Sequence, residues 1–197
     1  MIDKIKKIRE NIKLYTLMTD LTSTSRRYFV IGYFDGVLTI LGMIIGAHLS
    51  GEASANLILS AGVATALALG ISSAWGAFEA ERVEQMLLKL EKKRAMLVDS
   101  QGCIIDRAHK FATYISSAVH GIAPIIAALI PLIPYTILKE DYAFIASLTI
   151  GFASLFIVGL ILGKIGKCNV FLSGLRMVLA GVVTVIVISV LSPSHFR

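Results

Sequence analysis

The stretch YFVIGYFDGVLTILGMIIGA, Tyr28 to Ala47, contains a single charged residue, Asp35. About twenty apolar residues are what an α-helix needs to cross the hydrocarbon layer of a bilayer. An ionised carboxylate inside that layer costs at least about 2.5–3.5 kcal/mol, so it persists where something compensates the charge. At 1.5 Å per residue, Asp35 lies about 10 Å in from the start of the stretch. The segment reads as a membrane span that carries either a functional carboxylate or one hydrogen-bonded for structural reasons.

Four further apolar blocks of similar length follow. The expected spans are Tyr28–His48, Ala55–Phe78, Ile115–Leu138, Ala143–Gly163 and Val170–Leu191. The chain has 197 residues, 56% hydrophobic and 16% charged, whereas a soluble domain keeps about a quarter of its residues charged. The expected fold is an all-α integral membrane protein with five transmembrane helices. The N-terminus carries a charged helical pattern and not a short apolar region with a cleavage site, so no secretory signal is expected.

The net charge of +6 is distributed by topology. Lysines and arginines cluster before span one, between spans two and three, and around the fourth connection, while the opposite side has Lys139 and Arg197. Positive charge marks the cytoplasmic side. The N-terminus is therefore expected in the cytosol and the C-terminus outside, with the cell membrane as location and no nucleic-acid partner. Cys103 and Cys168 both fall in segments expected to be cytoplasmic, and no CxxC or HExxH motif is present.

Five segments follow along the chain. Residues 1–27 read as a cytoplasmic amphipathic helix, with Ile2, Ile5, Ile8, Ile12 and Tyr15 at helical spacing among lysines. Residues 28–78 hold the first two spans. Residues 79–112 form a helical cytoplasmic extension, in which span two runs on, breaks at DSQG and gives way to a second helix. Residues 113–192 hold the last three spans, and 193–197 form a tail. Tyr135 and Tyr142 flank the outer connection LKEDYA, as interfacial aromatics do.

In span one, Gly32, Gly36, Gly42 and Gly46 permit close approach of another backbone, while Asp35, Thr39 and Met43 advance along nearly one stripe. Beyond span two, Glu81 and Glu84 sit one turn apart with no basic residue four positions on, and Glu91 lies a heptad beyond Glu84. Like charges at that spacing repel, and a hard divalent cation would reverse the sign. The alternative is an ordinary solvated face. Glu79 can pair with Arg82. His120 in span three could face the bundle, and Pro124, Pro131 and Pro134 should kink that span. No nucleophile–base pair with a motif is present, so an enzyme is not expected.

Taken together these residues resemble the vacuolar iron transporter family. RRYFVIGYFDGVLTILGMIIGA looks like its first span with an Asp-Gly pair, GISSAWGAF like its small-residue stretch in span two, GIAPIIAALIPLIPY like its Gly/Pro-rich third span, and GLRMVLAGVV like the start of its last. The resemblance implies five spans, a homodimer with the pathway between protomers, and a metal-collecting extension after span two. It also implies exchange of a divalent metal for protons across the lipid bilayer. Where the family commonly carries a carboxylate and a methionine on span two, this chain has Thr65 and Ser73.

The resulting expectation is a divalent metal/proton antiporter that moves Fe2+ or Mn2+ out of the cytosol, with no resident cofactor. Asp35 would be the coupling site and Met43 a further ligand; Glu81, Glu84 and Glu91 would collect metal; Thr39, Thr65, Ser73 and His120 would line the pathway. The competing expectation is a non-transporting membrane protein of the same fold, in which Asp35 and the glycines serve assembly.

Overall fold

The computed structural model describes residues 12, 14–51, 54–96 and 104–191. Most of the expected N-terminal helix, the DSQG break, Cys103 and the 193–197 tail lie outside the described residues. Every element among them is a helix: α1 (Leu21–Ser50), α2 (Ala55–Met96), α3 (Ile104–Leu132), the short α4 (Pro134–Ile137), α5 (Glu140–Ile165) and α6 (Val170–Leu191). Five of these, all but α4, are long and apolar enough to cross a membrane. Span two runs on as a 42-residue helix, and the helix before span three is continuous with it.

The packing divides the chain into two compact units. One comprises Ile71–Ile122 with the described residues up to Ile31; the other comprises Gly32–Gly70 with the described residues from Ala123 onward.

The second unit is built around α1. Val37, Ile40 and Ile44 are fully buried and Leu41 nearly so. Ile40 and Ile44 pack with Ile58 and Ala66 of α2, Ala128 and Leu132 of α3, and Ala143 of α5. Val37 and Leu41 face Ala127, Leu155 and Val158. A helix buried on two sides must come close to its neighbours, and Gly36 shows how close. A Cβ there would overlap the Pro124 carbonyl oxygen and lie 2.7 Å from the Pro124 Cα. The glycine row of α1 is not one face, however. A Cβ at Gly42 would meet Ile188 of the same chain at 2.8 Å, whereas Gly46 has open space above it.

Helix ends in this unit are closed by local chemistry. At the start of α2, the Ala55 N–H donates to Glu140 Oε1 (3.0 Å) and the Leu57 N–H to Ser54 Oγ (3.3 Å), which satisfies two of the orphan donors of a helix N-terminus. The prolines act at the far end of α3. Pro134 has no N–H for the Ile130 carbonyl, which accepts instead from the Ile133 N–H at 3.3 Å; the helix stops at Leu132 and restarts as α4. Tyr142 is exposed, as an interfacial aromatic should be. Tyr135 departs from that expectation: it is buried in the α1–α2–α3 core at 4% exposure. The four-residue α4 turns its ring inward, a direction that position beside a loop does not encode.

α5 and α6 form an antiparallel hairpin on a seam of glycines. A Cβ at Gly159 would meet the Gly174 Cα at 2.6 Å, and one at Gly163 the Val170 Cα at 2.7 Å. Lipid supplies no hydrophobic force between helices, so such contacts depend on small residues. The turn is a Schellman cap: the Cys168 N–H donates to the Gly163 carbonyl (3.0 Å) and the Lys167 N–H to that of Lys164 (3.4 Å). Lys167 occupies the left-handed position at φ +52°, where glycine is the usual residue. Asn169 then caps α6, its Oδ1 accepting from the Leu172 N–H at 3.2 Å.

Candidate metal-transport site

Asp35 belongs to the second unit. It sits on α1, whose neighbouring positions Gly32, Tyr33, Gly36 and Val37 are buried, yet Asp35 itself is exposed. The buried positions consume the two sides of α1 that face α2, α3 and α5, and the carboxylate is left on the remaining one. Thr39 and Met43 are half-buried. Met43 packs beside the first core cluster, and its Cε would be 3.2 Å from a Cβ placed at Gly62. Thr65 on α2 is half-buried as well.

The other expected residues belong to the first unit. Ser73 and Glu81 are half-buried on α2; Glu84 and Glu91 are exposed further along it. Glu79 pairs with Arg82 at 3.5 Å, as their spacing suggested. Glu81 has a partner that spacing did not suggest: the Tyr28 hydroxyl donates to its Oε1 at 2.8 Å. The bond joins residues 53 apart in the chain, so no local pattern announces it.

His120 closes this cluster from α3. Its Nδ1 is 2.9 Å from the Tyr28 carbonyl oxygen, and its ring lies 5.0 Å from the Tyr28 ring. A carbonyl oxygen can only accept, so Nδ1 is the donor in this contact. The Arg27 guanidinium stands 5.5 Å from the Tyr28 ring centre. Tyr28 thus holds Glu81 through its hydroxyl and His120 through its backbone. Farther along the same pair of helices, Gln85 Nε2 donates to the His109 carbonyl (3.0 Å) and to the Thr113 hydroxyl, which ties α2 to α3.

Among the described residues, no group of three or more His, Cys, Asp or Glu lies close enough together to hold a metal ion. Each expected carboxylate stands singly: an exposed one on α1, a half-buried one shared with a tyrosine on α2, and two exposed ones beyond it.

The model of the VIT family matches residues 26–96 and 79–191. An uncharacterized protein of Methanocaldococcus jannaschii, MJ0645, is 35% identical over 165 residues, covering 82% of this chain and 85% of that protein. Five membrane-length helices and these matches lead to one identification: the chain is a multi-pass membrane protein and belongs to the VIT family, a family of membrane metal-ion transporters.

Proposed function

We propose that the protein is a divalent metal/proton antiporter of the cell membrane that carries Fe2+ or Mn2+ out of the cytosol as a homodimer. The observation that carries this reading is Asp35, the one exposed position in the apolar stretch 32–47 of α1, whose other residues are buried or half-buried. Facing lipid, its charge would cost at least about 2.5–3.5 kcal/mol. Facing a water-accessible path between two copies, the carboxylate can be neutralised by a proton or by a metal ion. Competition between those two cargoes for one group is sufficient to couple their fluxes. Gly46, with open space above it, permits close approach of a second backbone farther along α1.

In this reading Thr39 and Met43 on α1 and Thr65 on α2 line the route with oxygen and sulfur. Glu81, Glu84 and Glu91 draw cations to the cytoplasmic end, which has the greater share of basic residues. His120 supplies an imidazole next to Tyr28, the residue that holds Glu81, and Ser73 a hydroxyl two turns before Glu81 on α2.

The test is Asp35→Asn in proteoliposomes, with metal influx measured against an imposed pH gradient at matched protein levels. Asparagine keeps the size and hydrogen bonding but cannot ionise. Insertion and melting should be unchanged or improved, while flux and its pH response disappear. Wild-type flux in the variant would remove Asp35 as the coupling site and favour a non-transporting role.

A further inference from the structure

A cavity of about 390 Å³ opens between α2 and α3 within the first unit, lined by Phe78, Arg82 and Met86 on one side and Lys110, Thr113 and Tyr114 on the other. That volume lies within the range of ligand sites, about 300–1,000 Å³. Its electrostatics are opposite to those a metal-collecting surface needs. Lys110 makes no ion pair among the described residues, and Arg82 engages Glu79 through one nitrogen only. The other donors of its guanidinium stay available. Gln85 and Thr113 are already spent on each other and on the His109 carbonyl.

The position of the cavity along the helices matters as much as its charge. Phe78 is the last apolar residue of span two, and the charged run starts at Glu79. Trp75 and Tyr114 are 68% and 63% exposed, with the Phe78 ring 6.3 Å from one and 5.4 Å from the other. Exposed aromatics at the end of an apolar run mark the bilayer interface. The cavity therefore presents two cations at headgroup level above an aromatic wall of Phe78 and Tyr114 at acyl level, with Met86 one turn beyond the cations. Basic pockets between helices at that depth suit anionic headgroups.

We propose that this cavity binds a phosphate anion through Arg82 and Lys110, supplied by an anionic phospholipid whose acyl chains run past Phe78 and Tyr114. The site stands apart from the transport reading, since it needs neither Asp35 nor a bound metal.

The chain has a single tryptophan, Trp75, one helical turn from the cavity wall, and it reports on the bound lipid. Full-length protein is reconstituted in phosphatidylcholine with increasing brominated phosphatidylglycerol, and quenching of Trp75 gives the preference for one lipid over the other. Phosphatidylglycerol should be preferred. Arg82→Gln or Lys110→Gln should each reduce that preference about fivefold and the double variant roughly 25-fold, whereas Lys110→Arg retains it. Lys164→Gln, at another exposed basic position, controls for the general surface charge and should change nothing.

Inorganic phosphate added against chloride of equal ionic strength separates the sources: relief of quenching identifies a free-phosphate site of the same chemistry, and its absence identifies the lipid. Circular dichroism and melting in pure phosphatidylcholine confirm that the variants fold. Equal quenching by the two lipids in the wild type would overturn the proposal. So would a preference that survives the double substitution, or one lost equally in Lys110→Arg and Lys164→Gln. A change of oligomeric state in the double variant without any lipid effect would assign the cavity to a second copy and overturn it as well.

Discussion

Replacing Gly36 by alanine tests the packing that holds Asp35 in place. The added Cβ would sit 2.7 Å from the Pro124 Cα and 3.0 Å from the Ala127 Cβ, and would overlap the Pro124 carbonyl oxygen. Two of these three atoms are backbone, in a part of α3 where Pro124 already fixes φ. No rotamer change relieves the clash, so α1 and α3 must separate. Overpacking of this kind costs about 1–3 kcal/mol. For a chain of this length, 2 kcal/mol corresponds to a fall in melting temperature of roughly 4–8 °C.

Gly76→Ala is the matched control, because nothing lies within 4 Å of a Cβ at that position. There the gain in helix propensity, about 0.5–1 kcal/mol, should be all that is felt. The two substitutions add the same methyl group and should move the melting temperature in opposite directions, read by thermal unfolding in one detergent. Metal flux should fall with Gly36→Ala as well, since the displaced segment carries the neighbouring carboxylate. A Gly36→Ala protein that melts at or above wild type would refute the close contact between α1 and Pro124.

Three other predictions follow from the remaining contacts. Lys167→Gly relieves a left-handed lysine at φ +52°, a strain of about 1–2 kcal/mol partly offset by glycine's greater freedom when unfolded; the melting temperature should rise by a few degrees, and no rise would mean that the cap is not strained. Tyr28→Phe removes the donor to Glu81, so stability should fall by about 1 kcal/mol while Mn2+ affinity measured by calorimetry rises, because a competitor for the carboxylate has gone; unchanged values for both would show the bond to be idle. Cys168 is exposed and free, and with the N-terminus inside it should react with an impermeant maleimide only from the cytoplasmic face, so labelling in intact cells would invert the topology.

The five spans were legible because burial in lipid acts on composition, and composition can be read one residue at a time. The Glu79–Arg82 pair was legible for a similar reason: helical spacing alone brings residues three apart together. Tyr135 was misread because an aromatic beside a loop carries no direction until the α4 turn fixes one. The seam between α5 and α6 is written in the spacing of its glycines. Gly159 and Gly163 fall one turn apart on α5 and meet Gly174 and Val170 of α6, whereas Gly151 meets Leu41 of α1; span one has a glycine row of its own. Those glycines proved to serve different neighbours, Gly36 facing Pro124 and Gly42 facing Ile188.

The site separates along the same line. What a residue costs where it stands is local, so Asp35 could be singled out from twenty residues. What compensates that cost is not local, and neither is what competes for a ligand. Tyr28 reaches Glu81 across 53 positions, and that one hydroxyl changes Glu81 from a free member of an acidic row into a carboxylate already half engaged. On the proposed transport reading, a metal ion arriving there would have to displace a hydrogen bond, whereas at the exposed Glu84 it would displace only water. On that reading the two carboxylates would hold a cation unequally, Glu81 the more weakly. A carrier that must both capture and release its cargo needs that gradation, and a row of equivalent glutamates would not provide it.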